Sequence, residues 1–181
     1  MTLWTIGHST RPIDEFLALL KAHDIRQLVD VRTVPKSRHN PQFNTDRLAK
    51  SLKKAGLGYL HMPQLGGLRK AKKDSINTGW RNASFRGYAD YMQTDQFVEA
   101  LEELMAYGTD KSTAIMCAEA VPWRCHRSLI ADALTSQGWT VVDIMTEQRA
   151  DPHRLTPFAK MTQGRVTYPA PMDEQEPRLF D

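Results

Sequence analysis

Five short apolar runs, each separated from the next by a segment with helical features, constrain this chain more than anything else in it. Leu3–Ile6 reads as a first strand, and Pro12 to Lys21 follows with Phe16, Leu17, Leu19 and Leu20 at helical spacing. Gln27–Val31 reads as a second strand. Asn44 or Thr45 then caps a helix that carries Leu48, Leu52 and Ala55 and ends near Gly56. Gly58–Met62 is a third strand, and Phe97, Leu101 and Leu104 mark a long helix ending near Gly108. Ser112–Cys117 is a fourth strand, its helix running from near Pro122 to near Gly138, and Thr140–Met145 is a fifth. Strands that alternate with helices are joined by right-handed crossovers. The expected architecture is a three-layer α/β fold, a mostly parallel five-stranded sheet with helices on both faces.

At 181 residues the chain suits one full-size core. We expect a single α/β domain over residues 1–146, interrupted by an insertion at 63–91. A tail over 147–181 holds five prolines and wraps the domain or stays partly disordered. Two cysteines are too few for a disulfide framework. No signal peptide and no membrane-spanning apolar run is visible, so a reducing cytoplasm is the expected location and a membrane is not an expected partner.

The net charge of +3 conceals a separation. Residues 32–91 carry 13 Lys/Arg against three acids, Asp46, Asp74 and Asp90, which leaves the remainder of the chain acidic. Such asymmetry suits a field aimed at an anionic partner, or a merely solvated basic helix and loop. Within 63–91, Lys70, Lys72 and Lys73 neutralise phosphates and Trp80 stacks on bases if the segment meets nucleic acid. Otherwise Trp80, Phe85 and Tyr88 anchor the segment to the core.

In a parallel sheet the carboxyl ends of the strands share one rim, where ligands bind. His8 and Ser9 follow the first strand. Asp30 and Arg32 end the second, two residues apart and so on one face, with Ser37 beyond them. Gly66 and Gly67 follow the third and let backbone approach a neighbour closely. Cys117 and Glu119 end the fourth, and His126 and Arg127 open its helix. Cys117 is a thiolate nucleophile or an inert core thiol; a helix N-terminus and nearby arginines favour the thiolate. Glu119 serves as general acid/base or caps the helix. His126 shares the inward stripe of Leu129 and Ile130 near the positive end of that helix, which favours a neutral imidazole. Arg32 and Arg127 clamp a phosphate or carboxylate, unless Arg32 only partners Asp30.

Cys117, Cys125 and His126 are also conceivable zinc ligands, with His8 or His61 as a fourth. Their spacing is not a compact Cys-x-x-Cys knuckle, so no metal is assigned. Six residues separate Cys117 from Arg124, where the tyrosine-phosphatase loop needs five. No GxGxxG or Walker loop occurs, and no cofactor is assigned.

Taken together, Thr5-Ile-Gly-His-Ser9, Leu28-Val-Asp-Val-Arg32 with Pro35 and Ser37, Leu65-Gly-Gly67, and Cys117-Ala-Glu119 with Cys125-His-Arg127 resemble the bacterial family called Domain of Unknown Function 488. The likeness covers about residues 4–145 and extends to Val166–Pro169. It implies an α/β domain and no established reaction. The terminal Gln175-Glu-Pro-Arg-Leu179-Phe180 loosely resembles peptides that dock on the bacterial sliding clamp, but lacks the usual leucine after the glutamine.

The leading expectation is an enzyme acting on a phosphate-bearing substrate, a nucleotide or nucleic acid. Cys117, Glu119, His126, His8 and Asp30 would do the chemistry; Ser9, Arg32, Ser37, Gly66, Gly67, Arg127, Lys70, Lys72, Lys73 and Trp80 would hold the anion. A non-catalytic nucleic-acid-binding module, and a metal- or thiol-dependent enzyme on a small anionic metabolite, are the alternatives.

Overall fold

A computed structural model describes residues 1–171, and the clamp-like terminal peptide lies outside them. Strands β1 (Thr2–Gly7), β2 (Gln27–Asp30), β3 (Gly58–His61), β4 (Thr113–Cys117) and β5 (Thr140–Ile144) are the five apolar runs, each within two residues of its expected bounds. Helices α1 (Ile13–Ala22), α2 (Thr45–Lys54), α3 (Ala83–Tyr91), α4 (Asp95–Asp110) and α5 (Arg127–Ser136) surround them. β1 to β5 are mutually parallel where they pair. The fold is three-layered α/β.

The sheet order is β3-β2-β4-β1-β5-β6. The sixth strand, β6 (Ala150–Pro152), runs antiparallel to β5 and closes that edge. It extends the expected five-stranded sheet. Three residues containing Pro152 carry no alternating pattern, and their strand character comes from the neighbour they pair with. The hairpin β7 (Lys160–Thr162) and β8 (Arg165–Thr167) forms a second, two-stranded sheet.

Alternation along the strands splits the core by face. Ile6, Leu28, Ala114 and Met116 pack on Phe16, Leu19 and Leu20 of α1 and Leu48 and Leu52 of α2. Leu3, Val29, Val31, Ile115 and Cys117 pack on the other face with Tyr88 of α3, Phe97, Leu101 and Leu104 of α4, and Leu129, Ile130 and Leu134 of α5. The chain steps from β1 to β2 to β3 in one direction across the sheet, then from β3 to β4 to β5 in the other. The loops leaving adjacent β1 and β4 therefore diverge to opposite faces. That reversal opens a crevice at the carboxyl ends of the strands.

Helix α3 arises inside the 63–91 segment, where no helix is expected because Gly87 interrupts its pattern. The Asn82 side chain caps it, accepting from the N–H groups of Ser84 (2.8 Å) and Phe85 (3.2 Å). Gly87 is there for packing: a Cβ would lie 2.3 Å from the Arg69 carbonyl oxygen. Buried Asp90 then ties the segment down, accepting from Lys72 N–H (2.8 Å), Ser75 Oγ (2.6 Å) and Asn77 Nδ2 (2.8 Å). The chain after β5 is fixed through buried Asp132 of α5, which pairs with His153 Nε2 (2.8 Å) and accepts from Thr156 Oγ1 (2.7 Å) and the Tyr168 hydroxyl (2.8 Å).

Candidate active site at the carboxyl edge of the sheet

The crevice at the β1/β4 divergence is a cleft of about 770 Å3. His8, Ser9, Arg32, Ser37, Gly67, Cys117, Glu119 and His126 line it, together with Lys36, Asn40, Asn82, Ser84, Phe85, Arg124 and Cys125. Four loops and the start of α3 supply these groups.

Close backbone contact holds the β1 and β4 loops together. A Cβ on Gly7 would lie 1.9 Å from the Glu119 carbonyl oxygen, so only glycine fits there. The next two N–H groups bind the same loop, His8 to the Cys117 carbonyl (2.9 Å) and Ser9 to that of Ala118 (3.0 Å). Ser9 adopts the left-handed conformation, φ 50°, to make this turn. His8 is buried, with its ring stacked on Phe43 at 4.3 Å. Nδ1–H donates to the Ser9 carbonyl (2.7 Å), which leaves the Nε2 lone pair facing Arg32 Nη1 at 3.4 Å. Burial lowers its pKa and keeps it neutral, an available base.

At the end of β2, Arg32 pairs bidentately with Asp30, Nε to Oδ1 (2.9 Å) and Nη2 to Oδ2 (2.7 Å). Asp30 is fully buried and also accepts from the Tyr59 hydroxyl (2.7 Å). It stands behind Arg32, outside the cleft lining. Arg32 spends a further donor on the Phe43 carbonyl (2.8 Å).

The end of β4 is different. Cys117 forms the floor, 2 % exposed. Arg127 is 1 % exposed and lies beneath it. Its Nη1 donates to Cys117 Sγ (3.2 Å) and to the Glu119 carbonyl (2.8 Å), its Nη2 to the Ala120 carbonyl (3.1 Å). Nε has no partner, and among the described residues no carboxylate pairs with this guanidinium. Arg127 is therefore not on the surface of the cleft, where the sequence reading puts an anion clamp; it holds the loop and the sulfur. Burial alone pushes the Cys117 thiol up, but hydrogen bonding from Cys125 and the Arg127 charge outweigh it and bring the value down to about 7. The partner thiol, Cys125, moves the other way: its bond to Cys117, with burial, raises it well above an ordinary thiol.

His126 precedes α5. Its Nε2–H donates to the Val31 carbonyl (2.9 Å), and Nδ1 faces Cys125 Sγ at 3.5 Å. Burial lowers its pKa to about 4, against the Val31 carbonyl. The neighbour that Gly67 approaches is this ring: a Cβ there would lie 2.5 Å from Nδ1. Gly66 lies against Thr33 in the same way, away from the cleft lining. Glu119 is exposed, and its carboxylate makes no hydrogen bond among the described residues.

The family model described as Domain of unknown function DUF488 matches residues 12–134. The chain belongs to this family. No curated protein and no solved structure is detectably similar to it. The DUF488 match takes in the ends of β2 and β4, the 63–91 segment and most of α5, so all of the cleft lining except the β1 loop falls inside it.

Besides Arg127 and Gly66, four more residues expected to meet a substrate stand elsewhere. Lys70, Lys72 and Lys73 are exposed but do not line the cleft. Trp80 packs on Phe85 (4.9 Å, 21°), Phe158 (4.9 Å) and Tyr168 (5.5 Å), so its ring anchors α3 to the chain after β5. Lining residues absent from the sequence reading include Lys36, Asn40, Asn82 and Ser84; Arg124 enters it only as an arginine one residue too far from Cys117 for a tyrosine-phosphatase loop. The basic cluster of 32–91 contained a signal for Lys36; nothing in the sequence separated it from the other lysines. Among the described residues no cluster of three His, Cys, Asp or Glu has metal-site geometry, and no helix is long and apolar enough to cross a membrane.

Proposed function

We propose that the protein is an enzyme that uses the Cys117 thiolate as a nucleophile on a phosphate-bearing substrate of nucleotide size. The observation that carries this reading is the buried Arg127 guanidinium, which pairs with no carboxylate among the described residues; besides two backbone carbonyls it donates to the Cys117 sulfur, the one of its three partners that can carry a balancing charge. A buried cation without a counter-ion costs several kcal/mol, so the site favours the thiolate. The cleft volume falls in the range of small-molecule sites. Its lining holds Arg32, Lys36 and Arg124 against one carboxylate, Glu119, and adds hydroxyl and amide groups from Ser9, Ser37, Asn40, Asn82 and Ser84.

In this reading Lys36 and Arg124 bind phosphate oxygens, since Arg32 is largely committed to Asp30. Cys117 Sγ forms a bond to the electrophilic phosphorus as the P–O bond to the leaving group breaks. Glu119, which lines the cleft, hands that oxygen a proton in this reading. Water then attacks the thiophosphoryl intermediate, the S–P bond breaks, and His8 Nε2 takes the water's proton. Asp30 and Arg127 act through others, as positioning residues. The DUF488 assignment carries no reaction. Lys70, Lys72 and Lys73 favour a second reading, in which the phosphates belong to a polynucleotide that runs out of the cleft across their exposed ridge.

The test is protection from alkylation. Iodoacetamide should modify Cys117 at neutral pH, and nucleotides, but not the corresponding nucleosides, should slow it. Alkylation unaffected by every nucleotide tested would remove the substrate class; a phosphate dependence seen only with oligonucleotides would select the second reading.

A further inference from the structure

Cys125 has no part in the chemistry above, yet it is built into the same cluster. It lines the same cleft and belongs to the same buried cluster as Cys117, bonding between the two thiols pushes that of Cys125 up, and its sulfur is 3.5 Å from His126 Nδ1. Because His126 gives its Nε2 proton to the Val31 carbonyl (2.9 Å), the nitrogen that faces Cys125 is an acceptor. The Cys125 proton thus has two places to go: the Cys117 thiolate in the resting site, and His126 once that thiolate is consumed. Both cysteines are unpaired and line the cleft.

We propose that Cys117 and Cys125 are a dithiol–disulfide couple through which the cleft reduces hydroperoxides. The proposal rests on the thiolate reading of Cys117 but not on its phosphate-bearing substrate. Cys117 Sγ attacks the terminal peroxide oxygen; an S–O bond forms, the O–O bond breaks, and the departing alkoxide or hydroxide takes a proton from solvent. Cys125 Sγ then attacks the Cys117 sulfenic acid. The S–S bond forms, the S–O bond breaks, and hydroxide leaves with the Cys125 proton as water, His126 Nδ1 accepting that proton in passing. Two thiols lose two electrons and the peroxide gains them. A dithiol reductant restores the pair. Arg127, 3.2 Å from Cys117 Sγ, holds the attacking sulfur as an anion. Cys125 follows the single helical turn Pro122–Arg124 in an otherwise irregular loop.

Hydrogen peroxide added in one equivalent to the full chain tests this, with thiols counted after unfolding and the intact mass measured. Both thiols should disappear together and return with dithiothreitol. The larger thiolate fraction, offset by its lower nucleophilicity, implies oxidation about threefold faster than free cysteine at pH 7. Cys125→Ser should stop at a Cys117 sulfenic acid that dimedone traps, and Cys117→Ser should leave Cys125 reduced. Cys125→Ala repeats the trap if the serine variant is unstable. A wild-type protein that carries sulfinic acid at Cys117 beside an intact Cys125 thiol, or that oxidises no faster than free cysteine, overturns the proposal. Nucleotide binding by calorimetry, run on the same samples, separates the two readings. Disulfide formation without nucleotide binding removes only the phosphate-bearing substrate, and binding without disulfide formation removes only the couple.

Discussion

The carboxyl ends of β2 and β4 each carry a buried arginine, and they neutralise it in opposite ways. Arg32 faces a fixed carboxylate, Asp30, through two short bonds. Arg127 faces a sulfur that gains or loses a proton near neutral pH. A guanidinium held bidentately by a carboxylate is complete, and the pair has little left to offer a substrate. A guanidinium beside a thiol is complete only when the thiol is ionised. The same charge is a strut at one strand end and, in our reading, a means of activating a nucleophile at the other.

The comparison breaks first at Asp30. Asp30→Ala leaves the Arg32 cation buried and unpaired, and removes the acceptor of the Tyr59 hydroxyl. We expect a loss of about 3–5 kcal/mol in urea unfolding. A loss under about 1 kcal/mol, the size of an exposed pair, would mean that the β2 end is not the strut described.

His126 tests whether the β4 end tolerates a second cation. Its folded pKa of about 4 lies below the ordinary 6.5, so between those values the unfolded chain binds the proton and the folded chain does not. Stability is then complete above about pH 6.5 and falls as pH drops toward 4, by roughly 3 kcal/mol from this group. His126→Gln should lack that part of the slope in urea unfolding between pH 4.5 and 7.5. Equal slopes in the two proteins would show that the imidazole is not held neutral.

Arg127→Met removes the cation while filling its volume. Cys117 can take up a proton in response, so we expect a stability change of about 1–2 kcal/mol, smaller than at Asp30. The chemical effect is larger: without the cation the thiol should move up toward an ordinary thiol, slowing iodoacetamide at pH 7 several-fold. An unchanged alkylation rate would assign the low value to Cys125 alone and dissolve the contrast between the two arginines.

These differences were only partly legible in the sequence. The five strands and four of the five helices follow from apolar spacing, because each buries one face against a neighbour two or more elements away. Helix α3 was hidden because Gly87 answers to the Arg69 backbone, a contact distant in the chain. β6 was hidden because its pairing comes from β5. The convergence of His8, Arg32, Cys117, Glu119 and His126 follows from parallel strands sharing an edge. Which groups face the cleft does not: Asp30 ends β2 and Arg127 opens α5 at the same edge, yet they end up behind Arg32 and beneath Cys117. Trp80 looks like a stacking platform among basic residues, until Phe85, Phe158 and Tyr168 close around it.

The smallest expected effect concerns the cations that neither strand end uses. Lys36 and Arg124 line the cleft; Lys70, Lys72 and Lys73 stand outside it. Charge outside a Debye length of about 8–10 Å acts weakly at physiological salt. Lys36→Ala and Arg124→Ala should each weaken nucleotide affinity about fivefold, the loss of one charge-assisted hydrogen bond of about 1 kcal/mol. Reversing Lys70, Lys72 and Lys73 together to Glu should change it less than about twofold, a small Coulomb effect. Calorimetric titration from low to physiological salt gives both numbers. A triple reversal that costs as much as Arg124→Ala would move the phosphates out of the cleft and onto the ridge. In that case an oligonucleotide should bind with a salt slope that the reversal flattens.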